Sequence, residues 1–112
     1  WPHTFPPPII SCFAPEPLEA ARNIAPNLPR MLNFNVLPED WRANVNRVDC
    51  HLVNINHQHL TREAAKEVCN NGINLFCFTI NDQTRAQEVV SWGVKTMISD
   101  CPDQIFGDHK ND

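Results

Sequence analysis

Two histidines separated by a single residue, His57 and His59, come nearest in this chain to the spacing of a ligand pair. In an extended segment alternate side chains point the same way, so His57-Gln58-His59 would offer two imidazoles to one metal ion. A second pair of ligands is needed to complete such a site, and the sequence offers none at a matching spacing. Solvent-facing imidazoles are therefore expected. His51 stands before an apolar run and His3 and His109 lie near the ends, which makes them poor candidates for chemistry. The thiols follow the same logic. Cys12, Cys50, Cys69, Cys77 and Cys101 form no C-x-x-C pair, and an odd count without framework spacing reads as free, mostly buried thiols in a reducing compartment. Ser11 and Thr79 cannot be paired with a nearby base, so their hydroxyls are expected to order strand ends rather than attack a substrate. Arg62-Glu63 and Lys66-Glu67 fall in an outer-helix pattern, where charges are solvated. Nine basic against thirteen acidic residues leave a formal charge of −4, with no electropositive footprint for a nucleic acid. No apolar run approaches the roughly 18 residues that a membrane-spanning helix needs. The opening Trp1-Pro2-His3-Thr4-Phe5 has no basic start before an apolar core, so no signal peptide is expected. Its lack of an initiator Met is what a cut or processed chain would show.

Strand-like and helix-like segments alternate along the chain. Ile9 to Phe13 follows a proline run that suits the approach to a strand but not its interior. Pro15 to Ala25 places Leu18, Ala21 and Ala25 on one helical face, and Pro26 ends it. Met31 to Phe34 is a second strand. Pro38-Glu39-Asp40-Trp41 opens a short helix reaching Val45, with its acidic residues at the favourable end. Leu52 to Ile55 is a third strand. Thr61 caps the next helix, whose inner face is Ala64, Ala65, Val68 and Cys69, and Gly72 takes the left-handed position after it. Ile73 to Ile80 is almost continuously apolar, as in a strand buried on both faces. Asn81 or Asp82 caps a helix with Ala86, Val89 and Val90 inward and Gly93 at its end, and Val94 to Ile98 closes the series. Short connections between strands and helices predict a parallel α/β architecture. Pattern alone leaves two closures open, an open sheet covered on both faces or a segment of a closed barrel. No glycine-rich phosphate loop follows any strand, which disfavours a nucleotide-binding doubly wound domain.

From Ile10-Ser11-Cys12-Phe13 to about Ile105 the sequence resembles the C-terminal half of the glycerophosphodiester phosphodiesterases, especially the bacterial cytoplasmic type. Pro8 to Phe13 is similar to that family's strand ending in two serines and a phenylalanine, with Cys12 in place of the second serine. Leu18-Glu19-Ala20-Ala21 and Ala25-Pro26-Asn27-Leu28-Pro29-Arg30 resemble the helix and proline turn that follow. Asp40-Trp41, Asn56-His57 and Leu60 continue in register. Phe78-Thr79-Ile80-Asn81 looks like the Trp/Tyr-Thr-Val-Asn end of the seventh strand. Trp92-Gly93-Val94 and Ile98-Ser99-Asp100 are similar to the approach to, and the end of, the eighth.

The resemblance implies a partial TIM (β/α)₈ barrel, about strands four to eight with their helices. Residues 1–112 would be the C-terminal part of one barrel domain with a frayed tail at 107–112. It also implies what is missing, because the family's His-Arg-Gly, Glu-x-Asp, following His and Glu-x-Lys all belong to earlier strands and none occurs in this sequence. A complete relative would hold Mg²⁺ or Ca²⁺ on carboxylates and hydrolyse a glycerophosphodiester to sn-glycerol 3-phosphate and an alcohol, in the cytoplasm. This chain alone is expected to hold no metal and to be inactive. Its share would be the pocket wall at the C-terminal ends of the strands: Ser11, Phe13, Asn54, Phe78, Thr79, Asn81 and Asp100. Phe78 replaces an aromatic with a polar tip, and Asn54 stands where relatives carry His. Asn81 reads more readily as a helix cap than as a site residue, while Trp41 and Trp92 read as packing between helix and sheet. Exposed sheet edges would favour a homo-oligomer. The rival readings are a non-catalytic half-barrel that self-associates, and an open-sheet regulatory domain whose ligand crevice lies where strand order reverses.

Overall fold

A computed structural model describes residues 9–98, so the tail at 107–112, Asp100, Cys101 and the proline run at 6–8 fall outside the described residues. Among the described residues five strands alternate with four α-helices. They are β1 (Ile10–Cys12), α1 (Pro15–Ile24), β2 (Arg30–Phe34), α2 (Trp41–Val48), β3 (Leu52–Asn56), α3 (Arg62–Asn70), β4 (Asn74–Phe78), α4 (Gln83–Ser91) and β5 (Thr96–Met97), with a 3₁₀ turn at His57–His59 after β3. All pairings are parallel, and the sheet runs β1-β2-β3-β4-β5 without a reversal. Right-handed crossovers between successive neighbours place every helix on one face of such a sheet. Among the described residues that order has no reversal of the kind the open-sheet regulatory reading required, and it is the order of a barrel segment.

Side-chain burial follows from the one-sided cover. Leu32, Phe34, Val53, Ile55, Leu75 and Cys77 point into a core shared with Leu18, Val45, Val48, Ala65, Val68, Ala86 and Val89 of the helices. Alternate residues face away from the helices, and in β4 these are exposed Asn74 and half-buried Phe76 and Phe78. The expectation that Ile73 to Ile80 is covered on both faces is thus corrected. The apolar run is that of a barrel strand, but among the described residues only its outer face is covered.

Other boundaries follow local chemistry. Thr61 caps α3 as expected, its Oγ1 accepting from the Ala64 amide at 3.1 Å. Asp82, not Asn81, caps α4, accepting from the Arg85 amide at 3.2 Å. Gly72 and Gly93 take the positive φ expected of them, +76° and +105°, and a Cβ at Gly93 would meet Cys69 Sγ at 3.0 Å. α2 runs to Val48 rather than stopping at Val45 and ends on Asp49 in the left-handed region. Val90, expected inward, is 52% exposed, because Ala86 and Val89 already take the inner face of α4. Trp41 is buried at the start of α2, whereas Trp92 is half-buried beneath the Arg85 guanidinium, 4.9 Å from its ring centroid. No described helix is long and apolar enough to cross a membrane.

Candidate functional site

The helix-free face of the sheet is built from alternate residues in register. Asn33 pairs with Asn54 and Asn54 with Phe76, while Asn56 pairs with Phe78 one row nearer the strand ends. Amides therefore line the middle strands and aromatics line β4. Asn54 Nδ2 donates to Asn33 Oδ1 at 3.2 Å, and Asn56 Nδ2 donates to Asn35 Oδ1 at 3.4 Å. Asn54 is 4% exposed, yet its Oδ1 has no partner among the described residues. A buried acceptor left without a donor costs on the order of 1–3 kcal/mol, so this face is chemically incomplete as it stands.

A depression of about 260 Å³ opens on this face, lined by Ser11, Phe13, Met31, Asn33, Asn54, Phe78, Thr79 and Ile98. Five of the residues singled out from the sequence therefore meet here: Ser11, Phe13, Asn54, Phe78 and Thr79. Phe13 lies edge-on to Phe78, with ring centroids 6.0 Å apart and planes at 84°. The Phe78–Thr79 peptide is cis. Asn81 lies past the end of β4 and is not among the lining residues. Asp100 falls outside the described residues. A second depression of about 220 Å³, lined by Asn56, His57, Gln58, Phe78 and Thr79, shares its last two residues with the first.

Two arginines were not legible as site or frame residues. Arg30 opens β2 at the opposite end of the strands, and its hydrogen bonds all go to main-chain oxygen. It donates to Val48 O at 2.9 Å, to Pro26 O and Leu28 O at 3.1 Å, and to Asp49 O at 2.8 Å. Arg85 on α4 reaches back to the turn after β3. It donates from Nε to His57 Nδ1 at 3.3 Å, and from Nη2 to the His57 carbonyl and to Leu60 O at 3.1 Å. His57 is therefore half-buried and hydrogen-bonded rather than simply solvent-facing. Burial, with the Arg85 charge second, pushes its pKa below the ordinary 6.5, against a smaller opposite pull from Asp82. A signal for Arg85 did exist, since Arg85, Val89 and Trp92 share one helical face.

The residues present do not fit a divalent cation. Hard cations are held by carboxylate oxygens, whereas both depressions offer amides, hydroxyls, a histidine and aromatics. Among the described residues no three His, Cys, Asp or Glu side chains cluster so as to hold a metal. Cys12, Cys50, Cys69 and Cys77 are free, and burial raises the pKa of Cys50 and Cys69 and pushes Cys77 up to about 11, which makes these three poor nucleophiles. What the arrangement can do is shape a cavity, place aromatic surface against a ligand and exchange neutral hydrogen bonds.

Residues 6–104 match the model of the glycerophosphoryl diester phosphodiesterase family. The Bacillus subtilis (strain 168) protein YhdW, which carries a glycerophosphodiester phosphodiesterase designation, is 29% identical over 108 residues, covering 93% of this chain and 44% of YhdW. A phosphodiesterase from Oleispira antarctica, solved in complex with the product sn-glycerol-3-phosphate, superposes with a TM-score of 0.89 at 24% identity, covering 98% of this chain and 44% of that one. A protein from Galdieria sulphuraria with a glycerophosphodiester phosphodiesterase designation gives 0.80 at 16% identity, covering 92% of this chain and 44% of that one. The chain thus spans less than half the length of these relatives.

Proposed function

Since this chain belongs to the glycerophosphoryl diester phosphodiesterase family, we propose that it forms the C-terminal part of a (β/α)₈ barrel, about strands four to eight, and supplies the wall of a glycerophosphodiester site. The observation that carries the reading is the helix-free face of the parallel sheet, where Ser11, Phe13, Asn54, Phe78 and Thr79 line one depression and a buried amide oxygen lacks a donor among the described residues. A barrel interior supplies the facing side chains that this sheet lacks, and barrel ligands sit at the strand C-termini. Asn81 and Asp100 would belong to the rim of the same mouth.

The catalytic cation, Mg²⁺ or Ca²⁺, would be held outside residues 1–112, as would the histidines that move protons to the departing alcohol. This chain's contribution is to bind and to exclude water. Phe78 and Phe13 present apolar surface to the glycerol carbons, while Asn54, Ser11 and Thr79 order the polar side of the cavity. The acid released would be sn-glycerol 3-phosphate, in a reducing compartment that keeps the thiols free.

Phe78→Ala, made in the protein at its natural length, is expected to lower kcat/KM for glycerophosphocholine by about tenfold or more, since loose positioning near a reacting centre is costly. Phe78→Tyr should retain most of it. Unchanged kinetics in Phe78→Ala, with folding intact by circular dichroism, would remove Phe78 from the site.

A further inference from the structure

We propose that Arg85 locks His57 as the Nε2–H tautomer, so that the mouth of the sheet presents a neutral hydrogen-bond donor to an oxygen acceptor of the ligand. The ligand class rests on the reading above, whereas the lock itself does not. A guanidinium has five donors and no acceptor, so in the Arg85 Nε to His57 Nδ1 contact at 3.3 Å the imidazole nitrogen must be the acceptor. A ring accepting at Nδ1 is neutral and carries its proton on Nε2. Arg85 is itself held, by Glu88 through Nη1, by the carbonyls of His57 and Leu60 through Nη2, and over the Trp92 ring.

The two carbonyl contacts alone would suffice to tie the turn to α4. The Nε contact adds something that a purely structural clamp does not need, a choice of tautomer. His57 Nε2 has no partner among the described residues, and His57 lines the smaller depression beside Asn56, Gln58, Phe78 and Thr79. The charged groups that act on the ring are Arg85, which disfavours a second proton, and Asp82, which favours it, while Glu88 pairs with Arg85 on α4. His59 is exposed in the same turn. Because the folded pKa lies below the ordinary 6.5, the contact is at full strength above 6.5 and is lost only as pH falls through the lowered folded value. A donor of this kind stays neutral to lower pH than an ordinary histidine does.

Histidine ¹⁵N NMR on the protein at its natural length tests this without substrate. His57 is expected to show one tautomer, protonated on Nε2, and to titrate below an ordinary histidine. In Arg85→Ala its midpoint should rise and both tautomers should appear. Arg85→Lys keeps a cation on the helix but cannot bond Nδ1 and both carbonyls together, so it should also show mixed tautomers if Arg85→Ala fails to fold. Added sn-glycerol 3-phosphate should shift the His57 Nε2 resonance. In kinetics, His57→Gln, whose amide nitrogen donates from a similar position, should keep KM within about threefold, while His57→Ala raises it about tenfold. A wild-type ring protonated on Nδ1, or a tautomer unchanged by both Arg85 variants, overturns the lock. No ligand-induced shift at Nε2 overturns the donor role. Loss of hydrolysis with the tautomer intact would instead count against the phosphodiesterase reading.

Discussion

Replacing Arg30 with alanine is expected to cost the fold about 3–5 kcal/mol, because it strips four main-chain carbonyls of their donor at once. Arg30 is 7% exposed and bonds Pro26 and Leu28 of the α1–β2 connection together with Val48 and Asp49 at the end of α2. Two connections at the base of the sheet therefore share one cation, which also meets the negative end of the α2 dipole. Its carboxylate neighbour Asp49 lies 3.9 Å away with a mostly exposed side chain, so the ion pair itself contributes little. Asp49→Asn should thus change stability by well under 1 kcal/mol, while Arg30→Lys, with one point of donation instead of a fork, should fall between. Denaturant unfolding of the three variants checks the ranking. Equal losses in Asp49→Asn and Arg30→Ala would show that the ion pair, not the carbonyl clamp, holds the base together.

Trp41→Ala should cost a similar amount, about 3–5 kcal/mol, by a different route. The ring is 2% exposed and belongs to the core between the helices and the sheet. Its Nε1 donates to Glu67 Oε1 at 3.2 Å, and Arg42 reaches the same carboxylate at 3.1 Å, which fastens α2 to α3. Trp41→Phe keeps most of the buried ring and loses the bond to a half-exposed carboxylate, so about 1 kcal/mol is expected for that bond, with a smaller packing loss added. Thermal and denaturant unfolding separate the two contributions. A Trp41→Phe loss as large as that of Trp41→Ala would place the energy in the hydrogen bond rather than the cavity.

The strand–helix alternation was legible because each strand carries a compact apolar run and each helix a cap or a stop. Thr61, Gly72 and Gly93 announce their roles by residue type, and parallel order follows from the short connections. The far end of α2 was not legible, because Asn44, Asn46 and Arg47 hide a stripe of only Val45 and Val48, and Asp49 takes a left-handed conformation usually given to glycine. Val90 was misplaced because an apolar residue beside Val89 fits a helical face as well as its neighbour does. In the site, Ser11, Phe13, Asn54, Phe78 and Thr79 converge because strand ends in register must share a mouth. Arg30 and Arg85 escaped because their partners are main-chain carbonyls and a ring nitrogen, which no pattern of charges records. His57 read as solvated for the same reason, since its partner lies on the next helix but one in the chain.

The one-sided sheet makes a demand on the isolated chain. Among the described residues β1 and β5 are open edges, and Phe13 and Ile98 are 53% and 41% exposed at the mouth. A chain of residues 1–112 on its own would tend to cover that face by self-association.

Release of sn-glycerol 3-phosphate from glycerophosphocholine, measured with Mg²⁺ or Ca²⁺ for residues 1–112 alone and for the protein at its natural length, tests the wall assignment most directly. Metal-dependent release by the natural-length protein, and none above buffer by residues 1–112, is the expected result. Metal-dependent turnover by residues 1–112 alone would show that the reactive centre lies within this wall, and would contradict it.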